Sequence, residues 1–104
     1  MTIPVIGITG HTDQSARLPN LPLFAIHQPY VRAVELGGGA PVIVPPYVDE
    51  KKLRSIFEHL DGLILSGGGD ILPALYGEED GGLLWCVDEQ RDQTELALAR
   101  WALA

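Results

Sequence analysis

Apolar residues in this chain occur in short continuous runs and, between those runs, at helical spacing. The runs over residues 3–9, 41–44 and 63–65 predict strands buried on both faces, as in a parallel sheet. A stretch with apolar positions three or four residues apart follows each run. The pattern therefore predicts the order βαβαβα, which implies a parallel sheet with right-handed crossovers.

Capping residues place the ends of the predicted helices. The first begins near Pro29, which suits a first helical position, and ends at the glycines of residues 37–39. Asp49 and Asp88 are predicted N-caps of the second and third helices, with Glu89 favourably placed near the positive end of the third. The predicted core faces are Leu53, Ile56, Phe57 and Leu60 in the second helix, and Ala97, Leu98, Trp101 and Ala102 in the third.

Two polar stretches interrupt this pattern. Residues 11–27 carry two prolines and are predicted to form one long loop, which in a compact domain is usually functional or mobile. Residues 78–87 are acidic and contain glycine, and they are predicted to form a second loop after a short helical turn over 71–75.

The most distinctive segment is residues 61–70, where a predicted strand runs directly into Gly67, Gly68, Gly69 and Asp70. Glycines let the backbone turn sharply and approach a ligand closely. Because ligands of open α/β sheets bind beyond the carboxyl ends of the strands, this segment is predicted to form the rim of an active site.

Length and charge narrow the function classes. The chain has 104 residues, enough for one small domain, and a formal net charge of −7 at pH 7. This acidity argues against binding to nucleic acid or to an anionic membrane surface. With no basic leader, no apolar run near the ~20 residues of a membrane span, and Cys86 as its one cysteine, the chain is expected to be cytoplasmic.

Common cofactor and metal motifs are missing. No lysine follows a glycine cluster as a phosphate loop requires, and neither glycine triplet completes a dinucleotide fingerprint. The histidines are not at metal-ligand spacing, so no cofactor and no metal is expected. His59 is predicted to face solvent at a helix end or to interact with the C-terminal dipole of that helix. His11 follows the first strand and is either a ligand contact or a plain loop residue.

Two further groups have alternative interpretations. Cys86 could serve as a nucleophile, but Asp88 and Glu89 would oppose its thiolate, which favours a non-catalytic role. Arg91 and Glu95 are four residues apart and can pair on one helix face. That face is either solvated or turned toward the predicted site.

Four segments, in order, resemble the N-terminal half of class I glutamine-amidotransferase-like hydrolases. The similar branch is that of gamma-glutamyl-gamma-aminobutyrate hydrolases and related gamma-glutamyl hydrolases. The segments that carry the resemblance are Ile6-Gly7-Ile8-Thr9, Tyr30-Val31-x-Ala33-Val34 through Pro45-Pro46, Leu60-Asp61-Gly62-Leu63 through Tyr76-Gly77, and Asp88-x-x-Arg91-Asp92-x-x-Glu95.

The resemblance implies a flavodoxin-like, three-layer α/β/α fold with a parallel sheet, of which residues 1–104 hold the first three βα units. It also implies a cysteine hydrolase that cleaves gamma-glutamyl amide bonds of a small molecule. Gly67, Gly68 and Gly69 would help form the oxyanion hole, with Asp70 beside them in the site wall. His11, Arg91 and Glu95 are the candidates for the substrate side.

The family's nucleophile elbow, Gly-x-Cys-Arg-Gly, and its His-Glu pair are expected beyond Ala104. No catalytic residue is therefore assigned here, and Cys86 cannot take the nucleophile's role. The expectation is a truncated chain, inactive alone. The alternatives are a half-enzyme completed by a separate C-terminal chain and a non-catalytic binding or interaction module. An unpaired third strand would also favour marginal stability or self-association.

Overall fold

The structure, a computed structural model, describes residues 2–46, 48–66 and 89–104. The elements within these ranges are β1 (Val5–Thr9), β2 (His11–Gln14), β3 (Pro22–Ala25), α1 (Gln28–Leu36), β4 (Ala40–Val44), α2 (Glu50–Glu58), β5 (Gly62–Ile64) and α3 (Glu89–Leu103). The predicted glycine turn over 67–70, the helical turn over 71–75, the loop over 78–87, and the predictions for Cys86 and Asp88 lie outside the described residues.

A parallel three-stranded sheet forms the centre of the fold, with the order β4-β1-β5. Its register places Ile8 of β1 opposite Ile43 of β4 and Ile64 of β5. The order is that of the first three parallel strands of a flavodoxin-like sheet, second-first-third, so the predicted fold class is confirmed. The carboxyl ends of β1 and β5 lie side by side, and this arrangement builds the candidate site.

The two faces of β1 are covered by different helices, because successive side chains of a strand point to opposite sides. Ile6 lies on the face near Val34 of α1: a Cβ added to Gly39 would meet both side chains within 3.0 Å. Gly7 lies on the other face, where a Cβ would come within 2.6 Å of Leu60. The sheet is therefore sandwiched between α1 and the layer that contains α2 and α3.

The core of the second layer joins the sheet to α2 and α3. Asp49 accepts a hydrogen bond from the Lys52 backbone nitrogen at 3.0 Å, which confirms it as the N-cap of α2. Phe57 of α2 packs on Trp101 of α3 with ring centroids 5.6 Å apart. The buried centre consists of Val44, Leu53, Ala97 and Leu98.

One predicted core residue of α3 is outside this centre. Ala102 is exposed. It lies one residue beyond Trp101, a rotation of about 100° around the helix, so it turns away from the face that packs on α2.

The prediction of one long loop over residues 11–27 is wrong. β2 and β3 form an antiparallel hairpin whose register pairs His11 with Ala25 and Gln14 with Pro22. Apart from its half-buried end pair, the hairpin is exposed on both strands, so no alternation of apolar and polar residues marks it. Pro22 stands at the first position of β3, one of the few strand positions that tolerate proline.

β1 and β5 also differ in detail from their predictions. β1 begins at Val5, because Ile3 is 63% exposed and unsuited to a buried strand. β5 is half-buried along its length, and Leu65 lies beyond its end and is 42% exposed. Within the described ranges β5 pairs with β1 alone, which explains why it is less buried than a central strand. In that part of the chain, no helix is long and apolar enough to cross a membrane.

Candidate functional site

Four polar side chains from four elements meet beyond the carboxyl ends of β1 and β5. Thr9 ends β1, and Ser66 follows β5 by two residues. Tyr30 lies in the first turn of α1 and Glu95 in the second turn of α3. Hydrogen bonds through Thr9 and Ser66 connect all four residues, and we call this set the Thr9 network.

The Thr9 hydroxyl is the centre of the network. Its side chain is fully buried, and its Oγ1 donates to Glu95 Oε2 at 2.6 Å. The same oxygen accepts the Ser66 backbone N–H at 2.8 Å, and the Ser66 hydroxyl oxygen lies 3.2 Å away. A hydroxyl has one proton and two lone pairs. The Thr9 proton goes to the Glu95 carboxylate, which is the closer and stronger acceptor, so the Thr9 lone pairs accept from the Ser66 N–H and face the Ser66 hydroxyl.

Ser66 is held on both sides of its α-carbon. Its N–H is bound by Thr9, and its carbonyl oxygen accepts a hydrogen bond from the Tyr30 hydroxyl at 2.7 Å. The residue is 8% exposed, so these backbone groups have little access to water. Because Ser66 directly precedes Gly67, the network fixes the point at which the chain enters the glycine segment.

Arg91 and Glu95 are buried rather than solvated. Their side chains are 6% and 15% exposed, and Arg91 Nε lies 3.8 Å from Glu95 Oε1. The neighbouring Asp92 is 2% exposed. The structure therefore excludes the interpretation of this helix face as a solvated stripe. This face of α3 lies against the carboxyl edge of the sheet, where Glu95 contacts Thr9.

His11 lies at the same end of the sheet but belongs to a different group of rings. Its imidazole is 5.5 Å from that of His27, which in turn lies 6.4 Å from the Tyr30 ring, measured between centroids. The ring of Tyr30 thus lies beside His27, while its hydroxyl binds Ser66. His59 is exposed at the end of α2, with Nδ1 2.7 Å from the Ser55 carbonyl oxygen, as its sequence position predicts.

The predicted site residues are therefore distributed unevenly. Arg91 and Glu95 come together, and the ring of His27 lies between His11 and Tyr30. Gly67, Gly68, Gly69 and Asp70 lie outside the described residues. Sequence reasoning missed Thr9, Tyr30 and Ser66 as site residues. A usable signal existed for two of them, because Thr9 and Ser66 are polar residues that directly follow apolar runs at adjacent strand ends.

The Thr9 network is suited to holding a backbone in place rather than to attacking a substrate. Ser66 Oγ faces the Thr9 hydroxyl, which is not a general base of the kind that activates a nucleophile. The described residues contain no cysteine, since the chain's one cysteine is Cys86. They also contain no group of three or more His, Cys, Asp or Glu side chains that could hold a metal ion.

The parallel sheet and its polar carboxyl edge define an α/β domain of flavodoxin-like architecture. Comparison of the sequence with known families gives a narrower assignment. The family described as Peptidase C26 matches residues 4–104. The chain belongs to this class I glutamine-amidotransferase-like family.

Two similar proteins, one from a bacterium and one from a yeast, are named as glutamine amidotransferases. A protein of Mycobacterium tuberculosis named as a glutamine amidotransferase is 31% identical over 102 residues, covering 96% of this chain and 33% of the relative. A protein of Schizosaccharomyces pombe, also named as a glutamine amidotransferase, is 39% identical over 77 residues, which cover 73% of this chain and 29% of that relative. Protein NtpR of Enterococcus hirae is 35% identical over 109 residues, which cover 97% of this chain and 43% of that relative. The matched segments thus cover between 29% and 43% of the length of these relatives.

Proposed function

We propose that residues 4–104 form one wall of the active site of a cysteine-dependent hydrolase that cleaves gamma-glutamyl amide bonds. The observation that carries the proposal is the anchoring of Ser66 by Thr9 and Tyr30 at the carboxyl edge of the sheet. This anchor leads directly into Gly67, Gly68 and Gly69, whose backbone N–H groups would stabilise the oxyanion. Family membership and the names of the relatives support a small, glutamine-like substrate.

The reaction would proceed through an acyl-enzyme. A cysteine thiolate supplied by a family segment other than residues 1–104 attacks the gamma-carbonyl carbon, and the carbonyl electrons move to oxygen. The N–H groups of the glycine segment hold this oxyanion. The amine leaves with a proton from the histidine of the His-Glu pair, and water then cleaves the thioester to release glutamate.

Burial refines the roles proposed for the described residues. We propose a supporting role for Glu95, because its carboxylate accepts the Thr9 proton and pairs with Arg91. Both residues therefore support the wall from behind. His11, one-fifth exposed at the rim, is the better placed of the three to touch substrate. Asp70 is proposed to line the wall beside the glycines.

The source of the missing catalytic groups defines a second arrangement. In the described ranges, β5 has a neighbour on one side, and Leu65 beyond it is 42% exposed. A strand edge that has no neighbour among the described residues favours pairing with another strand. The groups could thus come from a separate chain that pairs with β5, and without it the chain would self-associate. Sedimentation showing a compact monomer at high concentration would argue against this second arrangement.

The proposal is tested by completing the site. Residues 1–104 are assayed for glutamate release from a gamma-glutamyl anilide, alone and fused to the part of the Mycobacterium tuberculosis relative that follows the matched segment. We expect no release by residues 1–104 alone, and release by the fusion that is lost on Gly68→Val. Gly37→Val is the matched control, because Gly37 is exposed, has φ −80°, and a Cβ there meets nothing closer than 3.6 Å. A folded fusion without activity, or one insensitive to Gly68→Val, would contradict the proposal.

A further inference from the structure

We infer that Thr9 and Tyr30 are positioning residues, which together set the orientation of the two peptide groups that flank the Ser66 α-carbon. The inference rests on the proposed function, because it assigns these residues a task toward the glycine segment. Neither side chain is proposed to touch the substrate or the reacting atoms. Their effect passes through the backbone of Ser66.

The first peptide group is held from β1. Thr9 Oγ1 accepts the Ser66 N–H at 2.8 Å, while its own proton is committed to Glu95 Oε2 at 2.6 Å. A carboxylate accepts hydrogen bonds more strongly than a neutral hydroxyl does. Glu95 therefore keeps the Thr9 proton on its own side, and the Thr9 lone pairs stay directed at Ser66.

The second peptide group is held from α1. The Tyr30 hydroxyl donates to the Ser66 carbonyl oxygen at 2.7 Å. A peptide group is planar, so a bond that fixes the direction of a carbonyl also fixes the plane of the nitrogen that follows it. Hydrogen bonds in a chain also polarise one another, which makes that following N–H a stronger donor. Tyr30 is thus proposed to act on the first N–H of the glycine segment through the Ser66 carbonyl group.

The conformational freedom of glycine explains why hydrogen bonds that hold Ser66 would matter at this position. Glycine admits close backbone approach but restricts φ and ψ less than any other residue. An oxyanion site needs donors that are oriented before the reaction begins. Ser66 is the last residue before the glycines with a side chain, and it is 8% exposed. We propose that holding both peptide groups of Ser66 orients the donors that follow it.

The orientation itself is tested by nuclear magnetic resonance on residues 1–104. Tyr30→Phe keeps the ring and removes the donor, so we expect an upfield shift of the Ser66 carbonyl carbon and a changed Gly67 amide resonance. Thr9→Val should accelerate hydrogen exchange of the Ser66 amide roughly five- to a hundredfold, and Thr9→Ser should restore slow exchange. Thr2→Val, at an exposed position near the N-terminus, is the control. Unchanged Ser66 and Gly67 signals in folded Tyr30→Phe would overturn the inference.

The catalytic consequence is tested in the fusion described above. Tyr30→Phe should lower kcat by roughly ten- to a hundredfold with KM nearly unchanged, as expected for misplaced transition-state donors. If Gly68→Val abolishes activity while Tyr30→Phe leaves kcat intact, the inference fails and the proposed function stands. If Gly68→Val has no effect on an active fusion, the proposed function fails, whatever the resonances of Ser66 show.

Discussion

Thr9 Oγ1 and the Ser66 backbone nitrogen lie 2.8 Å apart, so a side chain at the end of β1 accepts a backbone hydrogen bond from the residue that follows β5 by two positions. Parallel ladders end where one strand leaves the sheet, and the backbone groups there need other partners. Thr9 provides one for Ser66 in a place that water hardly reaches. The same contact that completes the sheet thereby fixes the backbone at the entrance of the glycine segment.

Replacing Thr9 by valine should destabilise the fold. Valine has nearly the same shape but cannot accept the Ser66 N–H or donate to Glu95, and both groups would stay buried without that partner. We expect a loss of about 1–3 kcal/mol in the free energy of unfolding, measured by urea denaturation. Thr9→Ser keeps the hydroxyl and should lose about 1 kcal/mol or less, for one methyl group. Equal losses in the two variants would show that packing, not hydrogen bonding, explains the position.

The buried pair Arg91 and Glu95 should be energetically coupled. Arg91→Met and Glu95→Gln each leave a charge in a buried site, and we expect losses of about 2–4 kcal/mol per variant. In the double variant the losses should fall short of additive by about 1 kcal/mol or more, as measured by a double-mutant cycle in urea.

An exposed pair on α2 provides the control for that cycle. Arg54 Nε lies 3.5 Å from Glu58 Oε1, closer than the 3.8 Å of the buried pair, but its side chains are 47% and 60% exposed. Solvent screening should limit its coupling to about 0.5 kcal/mol or less. Coupling that is stronger in the exposed pair would mean that distance, rather than burial, determines the interaction.

A methyl group added at Gly7 should be poorly tolerated, whereas a methyl group added at Gly37 should be well tolerated. A Cβ on Gly7 would lie 2.6 Å from Cδ1 of the half-buried Leu60 and 3.1 Å from Cγ2 of the fully buried Val44, so both side chains would have to shift. Gly7→Ala should therefore lower the free energy of unfolding by about 1–3 kcal/mol. Gly37→Ala meets nothing closer than 3.6 Å at φ −80° and should be neutral or stabilise by up to about 1 kcal/mol.

The Gly7 result can be assigned to its neighbour. If the clash with Leu60 causes the loss, shortening that side chain should offset part of it, so Gly7→Ala with Leu60→Val should be less destabilised than the sum of the two single changes. Thermal unfolding of the four proteins measures this directly. Strict additivity would move the explanation from Leu60 to strain in the sheet itself.

The parallel core was predictable because its signals are local. Continuous apolar runs marked β1, β4 and β5, and Asp49 marked the start of α2 by its position before an apolar face. The order β4-β1-β5 then followed from the resemblance to a known fold. In each case the residues that carry the signal are also those that form the contact.

The hairpin and the Thr9 network were not predictable in the same way. β2 and β3 pair through their backbones while exposing most of their side chains, so no pattern of burial records the pairing. Thr9 and Glu95 are 86 residues apart, and their contact depends on how α3 docks on the sheet. For the same reason the spacing of Arg91 and Glu95 identified a pair but could not distinguish a solvated face from a buried one.

The N-cap of α2 gives a final prediction that separates two contacts of one side chain. Asp49 accepts the Lys52 backbone N–H at 3.0 Å and also lies 3.7 Å from Lys52 Nζ. The cap should contribute about 1 kcal/mol, whereas the ion pair, with side chains 59% and 81% exposed, should contribute little. Asp49→Ala should thus lower the free energy of unfolding by about 1 kcal/mol, and Lys52→Met, which keeps the backbone donor, should change it by less than about 0.5 kcal/mol. Asp49→Asn should retain most of the stability, because asparagine also caps helices but carries no charge. Should Asp49→Asn prove as damaging as Asp49→Ala in urea denaturation, the charge and not the cap would be the stabilising contact.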